Sequence, residues 1–439
     1  MLSYTKKFNQ INIESLIRNY LNKNEYHFYW ENNKSKQIIL GIGQLDSVQV
    51  YSHSDIETIK EIISRKLNAI ISLNKNTTIA PKFFGGIAFN IDSKPNSTWG
   101  NFPRGYFMLP KYTITCDGSN MFITLIKKTQ KQLNVDDMSQ EIDRVYEKLT
   151  NYQSEKENVK NNIHIIESTN NITKNDYVKI INKIVKQIEN TSLEKVVLSR
   201  FEKLKLNGDI NYALMMKKMR DNYPNCINFL INLPHAGRFF GSTPERLIKK
   251  NNHTIMTEAI AGTIQRDDNI IADKQLEEQL RNDSKNLNEH QLVVDEIKRV
   301  LKPQISNIEI PNSPGILKLK NVQHLITKIK GELKDKKHIF ELIKTLHPTP
   351  AVSGYPINKA YQLINKYEQY DRGWYSGPIG WVNAAGDGDF CVALRSALMK
   401  DNSICLFSGG GIVLNSIAEN EWKETELKFQ TIREIIKDN

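Results

Sequence analysis

No apolar run in this chain approaches the roughly 18 residues that a membrane-spanning helix requires, so no span is expected. The opening stretch, MLSYTKKFNQINIESL, lacks the apolar core of a secretion signal, which points to a cytoplasmic protein. Cysteine is scarce. Cys116, Cys226, Cys391 and Cys405 form no CxxC pair and no zinc spacing, so reduced structural thiols are expected. Long basic runs are also missing. The net charge is +11, but the lysines are scattered among Asn, Ile and Glu, which argues against nucleic acid as a partner. A mild positive field instead favours a small anionic substrate. No Pro/Gly/Ser linker and no internal repeat divide the 439 residues, so one domain over 1–439 is expected. In it residues 1–165 are an N-terminal portion that completes the sheets of a core over 166–436.

What is present reads as α+β: a large single domain of mostly antiparallel sheets flanked by helices. Strand-like runs include QIILGIGQ, FFGGIAFNI, YFMLPKYTITC and MFITLIKK in the first third, punctuated by Gly, Pro, Asn and Asp. The segment Asp136–Asn162 reads as a charged helix followed by loop. A helix starts at Thr173 with Asp176 as a weak capping box, and Tyr177, Ile180, Ile181, Ile184, Val185 and Ile188 follow at helical spacing. LEKVVLSRFEKLKL reads as a strand, CINFLINL and RFFGSTPERLIKK as a hairpin, and WYSGPIGWVNAAGDGDFCVALRSALM as two strands about Ala384–Gly388. ICLFSGGGIVL reads as a strand running into a glycine loop.

Several residues could carry chemistry. Glu289 lies in KNLNEHQLVVDEI, and Glu421 and Glu424 lie in AENEWKETELKFQ. Both stretches have helical spacing, so Glu421, Glu424 and Lys428 share a face. If the fold brings Glu289 to that face, the converging carboxylates suit a hard cation such as Mg²⁺. Three solvated surface glutamates would give the same pattern. Arg395, in DFCVALRSAL, shares a strand face with Cys391, Ala393 and Ala397, where small neighbours leave room for a carboxylate on the guanidinium. A structural salt bridge is the alternative. Gly409–Gly411 could let backbone N–H groups approach an anion, or could simply make a tight turn. Lys195 at a strand start and Glu245 in STPERL say little in isolation.

Taken together, LEKVVLSR, FFGSTPERL, EAIAGTIQR, KNLNEH, NVQHL, LHPTPAVSGYP, RGWYSGPIGW, CVALRSA, SGGGIV and ENEWKETELK resemble the chorismate-utilising enzymes. They run in family order from about Leu193 to Lys428, and FFGGIAF resembles the family's N-terminal portion. The resemblance implies the fold of anthranilate synthase component I and is nearest to the isochorismate synthases. In the family's ammonia-using members a glutamine holds the place of Lys195, so the lysine here implies water as nucleophile. Where other members carry PIKGT, with a nucleophilic lysine, this chain reads AIAGT, with Ala261 in the lysine's place.

The implied reaction is an isomerisation: water adds to C2 of chorismate and the C4 hydroxyl departs. By resemblance Lys195 activates the water and Glu245 protonates the leaving hydroxyl. Mg²⁺ would be held by Glu289 and Glu424, with Glu421 orienting its water. Arg395 and Tyr375 would hold the enolpyruvyl carboxylate, helped by the backbone of Gly409 and Gly411, with Lys428 near the ring carboxylate. Gly262, Thr263, His324 and Thr349 match other pocket positions. Base and acid roles require an uncharged Lys195 and a protonated Glu245 in a closed pocket. A monomer or weak homodimer serving menaquinone synthesis is expected. The alternatives are siderophore synthesis, or a salicylate synthase that also eliminates pyruvate.

Overall fold

The computed structural model describes residues 1–9, 12–74, 79–93, 97–129, 134–150 and 163–437. Its strands join in one continuous, almost wholly antiparallel network, the exception being Leu2–Asn9 against Ile71–Ser72. One branch begins with strand Lys195–Asn207 and passes through Ser403–Val413, Ser396–Lys400, Gly237–Thr243 and Ile227–Leu233. It continues into the N-terminal strands His27–Asn32, Gln37–Val50 and Gly105–Asp117. A second branch leaves Gly105–Asp117 through Lys82–Ile87, Pro378–Asn383 and Gly388–Val392, then reaches Arg246–Asn251, Thr254–Gln265 and Val322–Leu333. The α+β expectation therefore holds. Strands from the first third are hydrogen-bonded into both branches.

An aromatic core lies between the branches, including Phe28, Trp30, Phe84, Trp99, Phe229, Phe239, Trp374 and Phe407. Aliphatic side chains fill the spaces between sheets and helices. Helix Lys174–Asn190 shows how sequence makes such a layer. Thr173 caps it by accepting the Asp176 N–H at 3.2 Å, and Tyr177, Ile181, Ile184 and Ile188 face inward. Loss of such a cap costs about 1 kcal/mol, whereas each buried Ile contributes roughly 1.5–3 kcal/mol, so the apolar face fixes the helix. Helix Val135–Thr150 covers the described part of the charged segment, and the loop expected after it, over 151–162, lies outside the described residues.

Two helices position the carboxylates. Helix Ser284–Leu301 is capped by Asp283, which accepts the N–H groups of Lys285 at 2.8 Å and Asn286 at 3.4 Å. Val293, Ile297 and Leu301 bury its inner face and leave Lys285, Asn286 and Glu289 near its start. Helix Ala418–Lys437 closes the chain and packs on strand Ser403–Val413. Among the described residues no helix is long and apolar enough to cross a membrane.

Candidate active site

Two adjacent strands make one wall. Val197 pairs with Gly411, Leu198 with Gly410 and Ser199 with Gly409. The triplet thus runs inside strand Ser403–Val413 and does not form the expected glycine loop. Strand Lys195–Asn207 supplies ladder partners as far as Val413, and the missing side chains make room for others. A Cβ at 411 would collide with Glu289 Oε1 and come within 2.9 Å of Lys195 Cε, and one at 409 would lie 3.1 Å from Tyr375 Oη. Lys195 begins its strand but is only 1% exposed, so it is no solvated strand end.

Two strand breaks make the opposite wall. RFFGSTPERLIKK does not form one strand; it divides at Pro244–Glu245 into Gly237–Thr243 and Arg246–Asn251. Likewise Gly388–Val392 and Ser396–Lys400 are separate, and Arg395 sits in the gap with φ +46°. Arg395 therefore does not share a strand face with Cys391 and Ala393. The breaks are stitched together: Thr243 Oγ1 donates to the Val392 carbonyl at 2.7 Å, and Val392 N–H donates to the Glu245 carbonyl at 3.1 Å. Proline removes a ladder donor, and a left-handed residue cannot continue a strand. The acid and the guanidinium thus leave their strands at neighbouring points.

Between these walls lies a cavity of about 80 Å³. Lys195, Glu245, Gly262, Thr263, Glu289, His324, Tyr375, Arg395, Gly409, Gly411, Glu424 and Lys428 all line it. Thr349 and Glu421 do not reach its surface. It is tighter than the usual few hundred Å³ of a ligand pocket, so side chains must shift to admit a ligand. A larger open groove of about 620 Å³, around Arg238, His235 and Lys400, contains none of these residues. We locate the chemistry in the smaller cavity because an acid, an amine and an unmatched cation converge there.

Burial pushes Glu245 up to about 8, with nearby Glu258 adding to the effect against Lys195 and Lys428, so it carries its proton at neutral pH. Arg395 is buried, and no carboxylate among the described residues lies within ion-pair distance of it. Its Nη2 donates instead to His324 Nε2 at 2.8 Å. A guanidinium can only donate, so the His324 proton sits on Nδ1 and points at Thr263 Oγ1, 3.0 Å away. Burial, then the Arg395 and Lys428 charges, push His324 well below its ordinary value. Tyr375 stacks on Phe407 at 5.4 Å, and burial pushes its hydroxyl up to about 12. An unmatched guanidinium beside neutral donors is chemically suited to a carboxylate.

The acidic groups are arranged differently. Lys195 Nζ lies 2.9 Å from Glu289 Oε1, so the amine expected to stand uncharged is engaged in an ion pair. Lys428 Nζ lies 2.7 Å from Glu424 Oε1 and 2.8 Å from the Gly409 carbonyl. Glu421 takes Lys285 at 2.9 Å. Among the described residues no three His, Cys, Asp or Glu side chains form a ready-made metal cage. The expected trio is spread because each carboxylate takes its own ammonium. Burial, then the charge of Glu424, push Glu421 up to about 7. Oxygen donors in such surroundings fit a hard divalent cation. Glu289 and Glu424 would hold it at the cavity wall.

Sequence reasoning missed two supporting residues. Asn286 Oδ1 accepts the Thr263 N–H at 3.0 Å and fixes the bulge after Gly262, whose φ is +78°. Lys285 matches Glu421. Both lie one turn before Glu289 in KNLNEH, at i, i+4 for Lys285 and i, i+3 for Asn286, and that spacing was the available signal.

The chain as a whole is similar to known proteins. A family model for chorismate binding enzymes matches residues 1–437. Isochorismate synthase MenF of Bacillus subtilis is 32% identical over 414 residues, covering 92% of this chain and 86% of that protein. The salicylate biosynthesis isochorismate synthase of Pseudomonas aeruginosa is 39% identical over 256 residues, 58% of this chain and 53% of that protein. Among solved structures, MenF, the menaquinone-specific isochorismate synthase of Escherichia coli, superposes with a TM-score of 0.79 at 25% identity, covering 99% of this chain and 94% of that one.

Proposed function

This chain belongs to the chorismate binding enzymes, and from that premise we infer that it is an isochorismate synthase, an isomerase that converts chorismate to isochorismate. One observation carries the reading: a buried lysine amine and a protonated carboxyl line the same cavity as an unmatched guanidinium. The enolpyruvyl carboxylate of chorismate would seat on Arg395, oriented by His324 and Tyr375. Lys428 would stand near the ring carboxylate. Lys195 would take a proton from the attacking water, which requires Glu289 to release it. Glu245 would give its proton to the departing C4 hydroxyl. Each such transfer is typically worth about 10²–10⁴ in rate. A divalent cation, Mg²⁺ in our reading, would offset the substrate's carboxylate charge when bound to Glu289 and Glu424.

We assign the product to menaquinone synthesis, supported by the naming of the Escherichia coli structure. The two strand branches, each interleaved with strands from residues 1–165, support one catalytic unit over the whole chain. A cytoplasmic monomer or weak homodimer belongs to the same proposal. The test is direct: incubate the purified protein with chorismate and Mg²⁺ and identify the products. Isochorismate without pyruvate is expected. Stoichiometric pyruvate with salicylate would make the protein a salicylate synthase, and unchanged chorismate would remove the assignment.

A further inference from the structure

A buried charge cluster stands directly behind Glu245. Arg246, the next residue, is held by Asp389, whose two oxygens accept from its Nε at 2.9 Å and Nη2 at 3.3 Å. Glu258 comes from strand Thr254–Gln265, the strand that also carries Ala261, Gly262 and Thr263 to the cavity. Its Oε2 accepts the Arg246 backbone N–H at 3.3 Å, and its Oε1 lies 3.9 Å from Arg246 Nη1. Glu258, Arg246 and Asp389 are all buried.

The charges around Glu245 can be matched one by one. Lys195 has Glu289, Lys428 has Glu424, and Arg246 has Asp389. Cys391, opposite Arg246 on the neighbouring strand, is held as a neutral thiol by burial. Arg395, across the cavity, is the unmatched cation, and Glu258 is the surplus carboxylate, held on the Arg246 N–H one peptide unit from the acid. In a low-dielectric setting a like charge disfavours ionisation of its neighbour.

We propose that Glu258 is a positioning residue for the reaction: it anchors the Pro244–Arg246 bend through the Arg246 N–H, and its negative charge keeps the proton on Glu245. The proposal rests on Glu245 being the general acid. Burial alone raises a carboxyl, but Lys195 and Lys428 oppose it, and Glu258, held on the Arg246 N–H, answers them.

The test is the pH profile of kcat/KM, from about pH 6 to about pH 10, which reports the free enzyme's essential groups. Glu258→Gln keeps an oxygen for the Arg246 N–H and removes only the charge. We expect the alkaline limb, near pH 8 in the unaltered protein, to move down by about one pH unit. Glu258→Asp, which keeps the charge, should return the limb toward its original position. A limb that stays in place in Glu258→Gln overturns the proposal, whatever happens to the maximal rate, since a merely structural role lowers rate or Tm without moving it. Glu245→Gln separates the two ideas: near-normal turnover there would remove the acid assignment itself. Difference infrared spectra of the unaltered protein give a reading that needs no folded Glu258 variant. A protonated-carboxyl band at neutral pH, absent in Glu245→Gln, is expected, and its absence from the unaltered protein overturns the proposal.

Discussion

The two sides of the cavity treat charge in opposite ways. On the side of the two helices, Glu289, Glu424 and Glu421 each have a lysine partner at 2.9, 2.7 and 2.9 Å. On the side of the strand breaks, Arg395 has a neutral imidazole and no carboxylate among the described residues, and Glu245 has kept its proton. The first side is self-sufficient and the second is not. A buried guanidinium without a counter-ion is costly, since taking an ion out of water is repaid only by a partner. On our reading of the site, a substrate carboxylate would complete the pair. On the matched side, in the same reading, a divalent cation would displace the lysines from Glu289 and Glu424.

Breaking this contrast at Lys195 should have the largest effect. Lys195→Ala deletes the amine on our reading of the base and should cut turnover by at least about 10³, with the fold retained by circular dichroism. Near-normal turnover would take Lys195 out of that role. Glu245→Gln comes next. It should lower turnover by about 10²–10⁴ and also change stability with a definite sign. Folding raises Glu245 from the ordinary 4.5 to about 8, so the folded protein holds a proton that the unfolded chain gives up between those values. Stability from this group is full below the lower value and is lost as pH rises through the upper one. The Gln variant lacks that loss, so above pH 8 it should melt later than the unaltered protein, by on the order of a few kcal/mol, and the gap should close in mild acid. Thermal melts across the pH range check this. Arg395→Lys should do least to the chemistry. It keeps the charge but not the two-pronged fork, so KM for chorismate should rise about tenfold with kcat little changed. A fall in kcat alone would put Arg395 outside substrate binding.

The two sides also differ in how far they could be read from sequence. Helical spacing alone put Glu421, Glu424 and Lys428 on one face, and the apolar residues of helix Ser284–Leu301 marked its inner side. The other side was hidden. GSTPERL and CVALRSA both read as unbroken strands, because alternating apolar residues outweigh a single proline or a non-glycine residue at positive φ. Nothing local announces that Arg395 will turn at φ +46°. The glycine triplet was visible, but its place inside a strand depends on the backbone of Val197–Ser199, far away in the chain. The proposed roles of these residues came from the order of whole motifs along the chain. Spacing could not have supplied them.

The central claim is that water, handled by Lys195 and Glu245, replaces the hydroxyl of chorismate. Turnover in ¹⁸O-enriched water with mass spectrometry of the product addresses it most directly. The account predicts isochorismate carrying one heavy oxygen, located at C2, and release of unlabelled C4 hydroxyl as water. Isochorismate formed with no label, its hydroxyl merely transferred within the ring, would contradict it.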